Sequence, residues 1–363
     1  MIYLDWAATA PLRPEALEAM LPYLQTRFGN PSGLHRLARQ ARQAVESARE
    51  KVCTLTGAST VVFTSGGTEA INQAIAGLAG GGHLVTSTVE HSAVLRASER
   101  SQRVDRVAVD GEGRWSQAEV LARLKPDTRL VSLMQANNEV GAVFPLEGLR
   151  AALPAGVRLH VDAVQAVGRL PLAEADCLSI SAHKFGGPKG VGANLYFGEV
   201  EPTAILVGGE QEGGWRSGTE NVAGIVGLAT ALELALGEQA QVVDRLEGLS
   251  QRLLELLPDF PPTGPTHHRL PGLVSVLVEG IHGEALVAAL DQADVAASTG
   301  SACSLARPGV SHVLQAMGYP VEKARSSLRL SLGSQTTMEE VEQAAVRLLA
   351  CVKRLRSLAG KDV

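Results

Sequence analysis

The chain has 363 residues, of which 45% are hydrophobic and 20% are charged, so it can build a packed core and does not have the composition of a disordered protein. The net charge of −5 and the lack of a Lys/Arg run exclude a basic surface for nucleic acid or an anionic membrane. The four scattered cysteines, without a C-x-x-C pair, disfavour a metal site or a disulfide scaffold and favour a reducing, cytoplasmic location.

Neither the N-terminal residues nor the most apolar run has the pattern of a targeting or membrane segment. Residues 1–5 lack the basic and apolar regions of a secretory signal. The run from Val222 to Gly237 contains Glu233 and is shorter than the ~20 residues that a membrane span needs. We therefore expect a buried helix there and no membrane partner.

Short apolar runs alternate with amphipathic segments through the first half of the chain. The predicted strands are Val61–Phe63, His83–Thr86, Leu130–Met134, Arg158–Val161 and Cys177–Ile180. The predicted helices between them include Thr68–Leu78 and Gln117–Leu124. This alternation is typical of an α/β fold with a mostly parallel sheet covered on both faces, in which ligands bind at the carboxyl ends of the strands.

The second half of the chain has a different pattern. A long helical stretch over 223–257 ends at a cluster of prolines and glycines between Pro258 and Pro265, which is typical of a domain boundary. The segments predicted beyond it are a strand at Leu273–Val278, a helix at Gly283–Leu290, strands at Val295–Ser298 and Ser327–Leu332, and a helix at Met338–Leu358. We predict a large domain of residues 12–257, and a smaller α+β domain of residues 1–11 and 258–363.

Lys184 follows the strand Cys177–Ile180 and precedes a Gly-Pro loop. A lysine at a strand end is more often a solvated surface residue. A partly desolvated lysine beside a tight turn can instead act as a Schiff-base nucleophile, and pyridoxal phosphate is the common cofactor for that chemistry.

This cofactor needs a carboxylate for its ring nitrogen, and Asp162 ends a predicted strand 22 residues before Lys184. An N-cap is the alternative role for this aspartate. Gln165, one helical turn further on, can address the phenolic oxygen of the ring. The phosphate needs a helix N-terminus, and Gly66, Gly67 and Thr68 form a glycine turn between a strand and a helix, although a simple capped turn has the same pattern.

Two further polar stations follow strands. His91 is placed to stack on a ring, although a lone histidine is more often structural. The cluster at residues 135–141, which contains Asn138, suits the lip of a site as well as a plain turn. None of these signals decides the function alone, but together they agree on one cofactor in one sheet.

The segment 297–309 surrounds Cys303 with small and polar residues, as a reactive thiol requires. Cys53, Cys177 and Cys351 instead lie in apolar patterns and are predicted to be core thiols. An attacking cysteine beside a pyridoxal Schiff base suggests chemistry at a substrate sulfur. Arg329, in an alternating strand, is suited to clamp a substrate α-carboxylate.

Taken in order, these motifs resemble the cysteine desulfurases, in the long-loop branch of the fold-type I pyridoxal-phosphate enzymes. The similar segments are spread from residue 3 to residue 304: 3–9, 28–32, 63–69, 90–91, 137–141, 160–163, 181–184, 216–219 and 301–304. The resemblance implies a seven-stranded, mostly parallel sheet with flanking helices and a smaller α+β domain that carries the cysteine loop.

The resemblance also implies a role for each site residue. Lys184 forms the Schiff base and moves protons, while Asp162, Gln165 and His91 address the ring. Gly67, Thr68, Ser181 and His183 hold the phosphate, and Thr219 reaches the phosphate of a neighbouring subunit in a homodimer. Asn138, which also borders the cofactor, and Arg329 hold the carboxylate of L-cysteine. Cys303 takes the sulfur as a persulfide for an acceptor or iron–sulfur scaffold protein, and no metal ligand is implied.

The sequence departs from the family pattern at a few places. The family has a Gly-Gly-Gly-Gln-Glu-Arg run, which corresponds to residues 208–213 here. Glu210 replaces its third glycine and Gly213 its arginine, and Val164 stands where many members have threonine. The C-terminal extension that some relatives use to dock a scaffold is expected to be absent.

Two other functions remain open from the sequence. One is a different fold-type I enzyme, such as a selenocysteine lyase or an aminotransferase, although an aminotransferase has no use for Cys303. The other is a sulfur carrier or scaffold that keeps the fold without catalysis.

Overall fold

The computed structural model describes residues 1–101, 103–300 and 310–358. Its strands are β1 (Ile2–Tyr3), β2 (Thr60–Thr64), β3 (His83–Ser87), β4 (Val104–Val107), β5 (Thr128–Met134), β6 (Arg158–Asp162), β7 (Cys177–Ser181), β8 (Gly192–Tyr196), β9 (Leu273–Leu277), β10 (Val295–Ala296) and β11 (Ser327–Ser331). Its α-helices are α1 (Pro14–Gln25), α2 (Arg36–Thr56), α3 (Gly67–Ala79), α4 (Ser92–Ser98), α5 (Gln117–Ala122), α6 (Leu149–Ala152), α7 (Val222–Gly237), α8 (Gln239–Leu256), α9 (Gly283–Gln292), α10 (His312–Ala316), α11 (Val321–Ala324) and α12 (Met338–Leu358).

The large sheet has the strand order β2-β8-β7-β6-β5-β3-β4. β8 runs antiparallel to β2 and β7, while the other neighbouring strands are parallel. The predicted mostly parallel, seven-stranded sheet is therefore confirmed. Strands β4 and β8 were not predicted from the sequence, and β8 begins with Gly192, Ala193 and Asn194, residue types that carry little strand signal.

Helices cover both faces of this sheet. Successive residues of a strand point to opposite faces. Leu84 and Leu130 accordingly pack with α3 and α4, whereas Val85 and Val131 belong to the main core together with residues of α2 and α7. Because helices cover both faces of the sheet, a ligand can reach it only at the ends of its strands.

A second core surrounds the smaller sheets. β9 and β11 pair antiparallel, and β1 pairs with β10 in parallel. Ile2 and Leu4 pack with residues from α8, α9 and α12 in one buried cluster. Leu246, Leu249 and Leu253 of α8 belong to the same cluster. The division of the chain at residues 257 and 258 stays a prediction.

The helical stretch expected over 223–257 is broken. α7 ends at Gly237 and α8 begins at Gln239, and their axes differ in direction by 68°. Most of α7 is buried in the main core. In the part of the chain that the structure describes, no single helix is long and apolar enough to cross a membrane. Only α7 and α8 taken together, as a bent pair, have the required length and apolar composition.

Candidate active site

A cavity of about 280 Å³ lies where strands of the large sheet end, and the N-terminal segment and β11 complete its wall. The predicted site residues that line it are Gly67, Thr68, His91, Asn138, Asp162, Gln165, Ser181, His183, Lys184 and Arg329. The structure thus brings together in one cavity ten residues that the sequence spreads over 263 positions (from 67 to 329, both included).

Lys184 ends a short 3₁₀ turn, Ala182–Lys184, that directly follows β7. Its Nζ donates hydrogen bonds to the carbonyl oxygens of Ala7 at 2.7 Å and Ala8 at 3.0 Å. Gln165 also donates to the Ala7 carbonyl, at 3.0 Å. The N-terminal segment therefore fixes the direction of the lysine side chain, a role that the sequence analysis did not assign to Ala7 or Ala8.

Asp162 is the last residue of β6 and is buried. The backbone N–H of Val164 donates to its Oδ1 at 3.0 Å. Burial raises the pKa of Asp162 to about 6, against the opposing effects of this hydrogen bond and of Lys184. A buried carboxylate of this kind is suited to accept a hydrogen bond from a protonated heterocyclic nitrogen. The pyridine ring of pyridoxal phosphate has such a nitrogen.

His91 precedes α4 and caps it. Its Nδ1 accepts a hydrogen bond from the backbone N–H of Ala93 at 3.1 Å. Burial, followed by the charges of Lys184 and His312, lowers the pKa of His91 to about 4. The ring is therefore neutral at pH 7, and because Nδ1 accepts, the proton lies on Nε2. A neutral imidazole on the cavity wall is suited to cover the face of a planar ring.

The N-terminus of α3 offers an anion site at another wall of the cavity. Its N-cap is Gly66, which has φ 147° and supplies no side-chain cap to the N–H groups of the first turn. A Cβ atom on Gly67 would lie 2.9 Å from Val164 Cγ2, so only glycine fits the close contact there. Unsatisfied N–H groups at a helix start bind phosphate, and Thr68 and Ser181 add hydroxyl groups.

His183 contacts the N-terminal segment as well. Its Nδ1 lies 3.1 Å from Thr9 Oγ1. Burial, and then the charges of Lys184 and Lys189, lower the pKa of His183 to about 4. A neutral His183 can donate a hydrogen bond to a phosphate oxygen from its other ring nitrogen. The cavity therefore has partners for three polar parts of pyridoxal phosphate: the phosphate, the ring nitrogen and the carbonyl that reacts with a lysine.

Arg329 enters the cavity from β11 and is 3% exposed. It donates to the carboxylate of Asp5 at 2.7 Å and to the backbone carbonyl of Asn138 at 2.9 Å. Its Nε has no hydrogen-bond partner among the described residues. The guanidinium group is thus oriented in advance and keeps donors for an anion, although its two terminal nitrogens are each already engaged once.

Of the predicted site residues within the described ranges, only Thr219 does not line the cavity. Thr219 is exposed and lies outside the residues that line the cavity. Cys303 lies outside the residues that the structure describes. Gly300 and Ser311, on either side of the undescribed residues 301–309, both lie next to Glu139. Ser311 donates a hydrogen bond to Glu139 Oε2 at 2.5 Å, and a Cβ atom on Gly300 would lie 2.8 Å from the same oxygen.

Within 1–101, 103–300 and 310–358, no three or more His, Cys, Asp or Glu side chains are arranged to hold a metal ion. Cys177 and Cys351 are buried and Cys53 is half-buried, and all three are free thiols.

Comparison with known proteins assigns the family. The chain matches the aminotransferase class-V family over residues 2–344. It is 45% identical over 376 residues to a cysteine desulfurase of Cereibacter sphaeroides, covering 99% of this chain and 97% of the relative. It is 40% identical over 378 residues to the cysteine desulfurase IscS of Dictyoglomus turgidum, covering 99% and 96%. The chain belongs to the cysteine desulfurase family.

A solved structure agrees with this assignment. A NifS-like protein superposes on this desulfurase with a TM-score of 0.90 at 34% identity, covering 98% of this chain and 99% of the other. The resemblance drawn from the ordered motifs is thus confirmed, as is the fold.

The departure at residues 210–213 lies beside a buried ion pair in this desulfurase. Glu212 has φ 51° and is buried, and it accepts hydrogen bonds from both terminal nitrogens of Arg49 at 2.8 and 2.9 Å. It also accepts from the backbone N–H of Phe63 at 2.8 Å. Gly213 follows with φ 65°, a conformation that suits glycine. The segment is therefore tied to β2, the strand that leads into the anion site.

Proposed function

We propose that this desulfurase binds pyridoxal phosphate, takes sulfur from L-cysteine, releases L-alanine and carries the sulfur as a persulfide on Cys303. The observation that supports the proposal most directly is the cavity itself, in which Lys184, Asp162 and the α3 N-terminus face one volume large enough for a small cofactor. Each of the three suits a different part of pyridoxal phosphate.

Pyridoxal phosphate, when bound, supplies a carbonyl that condenses with amines and a ring that accepts electrons. Lys184 provides the amine, and the carbonyls of Ala7 and Ala8 hold it toward the cavity. Asp162 holds the proton of the ring nitrogen, and His91 covers a ring face. The N–H groups of α3, with Thr68, Ser181 and His183, hold the phosphate.

Substrate binding falls to Arg329 and Asn138. Asp5 orients the Arg329 guanidinium group, whose remaining N–H groups donate hydrogen bonds to the α-carboxylate of L-cysteine. The thiolate of Cys303 then attacks the substrate sulfur. A sulfur–sulfur bond forms, the carbon–sulfur bond breaks with its electron pair left on carbon, and a proton from Lys184 completes alanine. The products are L-alanine and the Cys303 persulfide, which a sulfur-acceptor or iron–sulfur scaffold protein must discharge before the next turnover.

A homodimer is part of the proposal. Thr219 is exposed in the single chain, which fits a residue that serves a neighbouring subunit. Leu24 and Phe28 are large apolar residues that are 58% and 68% exposed, and they lie in and just after α1. Such a surface suits a contact with a second copy.

The free thiols support the reducing, cytoplasmic location.

The test is mass spectrometry of the purified holoenzyme after incubation with L-cysteine alone. We expect one added sulfur atom on Cys303 and one alanine released for each sulfur bound. Cys303→Ala should bind the cofactor with the same visible absorption and gain no sulfur, while Cys53→Ala should behave as the unaltered enzyme. Sulfur on another cysteine, or sulfide release by Cys303→Ala at the original rate, would show the assignment to be wrong. Reaction with selenocysteine but not with cysteine would instead favour a selenocysteine lyase.

A further inference from the structure

Glu90 lies directly before His91, in the turn between β3 and α4, but its side chain enters the protein interior. It is 0% exposed. The hydroxyl of Ser87 donates to its Oε1 at 2.6 Å. Its other oxygen, Oε2, is buried without a hydrogen-bond partner among the described residues. The mechanism above makes no use of this carboxyl group.

The surroundings of Glu90 offer little compensation for a negative charge. The charged group that acts on it is Asp162, which is itself an acid. Other titratable groups near the turn are His91 on the turn itself, Lys184, whose charge acts on His91, and His312 on α10, whose Nε2 lies 2.9 Å from the backbone carbonyl of Glu90. An unpaired buried carboxylate is costly, and burial raises the pKa of Glu90 to about 8.

The turn is held from three sides. Ser87 contacts the Glu90 side chain, His312 contacts the Glu90 carbonyl, and Asn137 Nδ2 donates to the carbonyl of Val89 at 3.0 Å. His91 comes next and begins α4 with its ring on the cavity wall. The Glu90 carboxyl group therefore anchors one end of the segment that presents the His91 ring.

Glu90 is also coupled to Asp162 through the sheet. The charge of Asp162 acts on the Glu90 carboxyl group, and the backbone of Met134, which also acts on it, pairs with Asp162 in the register of β5 and β6. A charge on one buried carboxyl group disfavours a charge on the other, so an ionised Asp162 favours the neutral form of Glu90.

We propose that Glu90 is a positioning residue that works as a neutral carboxylic acid: it holds the turn that presents His91 and adds no second negative charge beside Asp162. This inference rests on the proposed function for the part that concerns the cofactor. Ionisation of Glu90 would favour protonation of Asp162 and so weaken its hold on the ring nitrogen.

The test compares Glu90→Gln, which is neutral at every pH and of equal size, with Glu90→Ala. Glu99→Gln is the matched control, because Glu99 follows α4 in the same segment but is exposed. The first readout is the urea unfolding of the apoprotein between pH 5 and 9.5, which needs neither cofactor nor activity.

The sign of the expected change follows from the raised pKa. Stability that Glu90 contributes is fully present below the ordinary glutamate pKa of 4.5 and is lost as the pH rises to about 8. The unfolding equilibrium constant of the unaltered protein should therefore rise relative to that of Glu90→Gln by about tenfold per pH unit over this window, and the difference should level off above pH 8. Equal pH dependence of the two proteins would overturn the neutral state.

The second readout is the visible absorption and affinity of added pyridoxal phosphate. The unaltered protein should lose affinity above pH 8 while Glu90→Gln keeps it, and at pH 7 Glu90→Gln should bind normally while Glu90→Ala binds more weakly. Weak binding by Glu90→Gln at pH 7 would show that a charged Glu90 is needed and would overturn the proposal. A failure to find sulfur on Cys303 would refute the proposed function but leave the unfolding result standing, so the two can be told apart.

Discussion

Arg329 donates a hydrogen bond to the carboxylate of Asp5 at 2.7 Å, across a separation of 324 residues. The contact joins β11 to the segment just after β1, and Asp5 also forms a bridge with Ser331 of β11. One edge of the cavity is thus built from the two ends of the chain. A substrate carboxylate that meets Arg329 meets a guanidinium group whose orientation Asp5 has already fixed.

Asp5→Asn should weaken the hold on Arg329 and raise the KM for L-cysteine by about tenfold, with a smaller change in kcat. The reason is that Asn keeps the shape of the side chain but loses the charge that orients the guanidinium group. Steady-state kinetics over a range of cysteine concentrations checks this result. Asp294→Asn, at an exposed position near β10, is the control. A fall in kcat with an unchanged KM would contradict the role given to Asp5.

Asp162 should make cofactor binding depend on pH. Its pKa in the apoprotein is raised to about 6, so it is ionised at pH 7 and becomes protonated as the pH falls below 6. A protonated Asp162 cannot pair with a proton on the ring nitrogen, and the affinity for pyridoxal phosphate should fall by up to about tenfold per pH unit below pH 6.

Equilibrium titration of the apoprotein with pyridoxal phosphate between pH 5 and 7.5 measures this dependence. Asp162→Asn should bind weakly at every pH, with no loss centred near pH 6. An unchanged affinity down to pH 5 in the unaltered protein would argue against the pairing.

The motifs at strand ends could be predicted from the sequence because a parallel sheet places those ends at one edge. Asp162 ends β6 and Lys184 follows the neighbouring strand β7, so their convergence needs only the strand order. The contact of Lys184 with Ala7 and Ala8 could not be predicted, because it depends on how the N-terminal segment lies over the sheet. The opening segment 3–9 was part of the family resemblance, but backbone carbonyls leave no side-chain signal.

The burial of two other acids, Glu90 and Glu212, could not be predicted from the sequence. Glu90 and Glu212 look like surface glutamates in the sequence, since nothing local to either residue indicates burial. Glu212 meets Arg49 across 163 positions, and a contact of that range has no periodic pattern. Strand β8 was missed because its small and polar residues gain their strand conformation from pairing with both β2 and β7.

Removal of the charge on Glu212 should destabilise the protein far more than the same change at Glu46. Both carboxylates contact Arg49, but the side chain of Glu212 is 2% exposed and that of Glu46 is 52% exposed. Breaking a buried ion pair leaves an uncompensated charge, so Glu212→Gln should lower the free energy of unfolding by about 3 kcal/mol. Glu46→Gln should lower it by less than about 1 kcal/mol.

Urea unfolding of both variants checks this difference. If both variants lost a similar free energy of unfolding, the Arg49 guanidinium group would have become hydrated when Glu212 was neutral, and the role given to the buried pair would be contradicted. Because Glu212 also binds the N–H of Phe63 in β2, we expect Glu212→Gln to weaken cofactor binding as well, whereas Glu46→Gln should not.

Subunit mixing tests whether Thr219 serves the cavity of a second copy. If it does, a heterodimer of Lys184→Ala and Thr219→Ala has one damaged site with both changes and one intact site, in which the lysine comes from one chain and the threonine from the other. Each variant alone should be impaired, and Lys184→Ala should also lose the visible absorption of the bound cofactor.

Mixing the two variants after mild dissociation should therefore restore up to about a quarter of the activity of an equal amount of unaltered enzyme, because random pairing makes half of the dimers mixed and each mixed dimer has one working site. Light scattering establishes the dimer, and persulfide formation measures the recovery. Mixing Lys184→Ala with itself is the control. A dimer in which mixing restores nothing, while Thr219→Ala alone is impaired, would mean that Thr219 acts within its own chain.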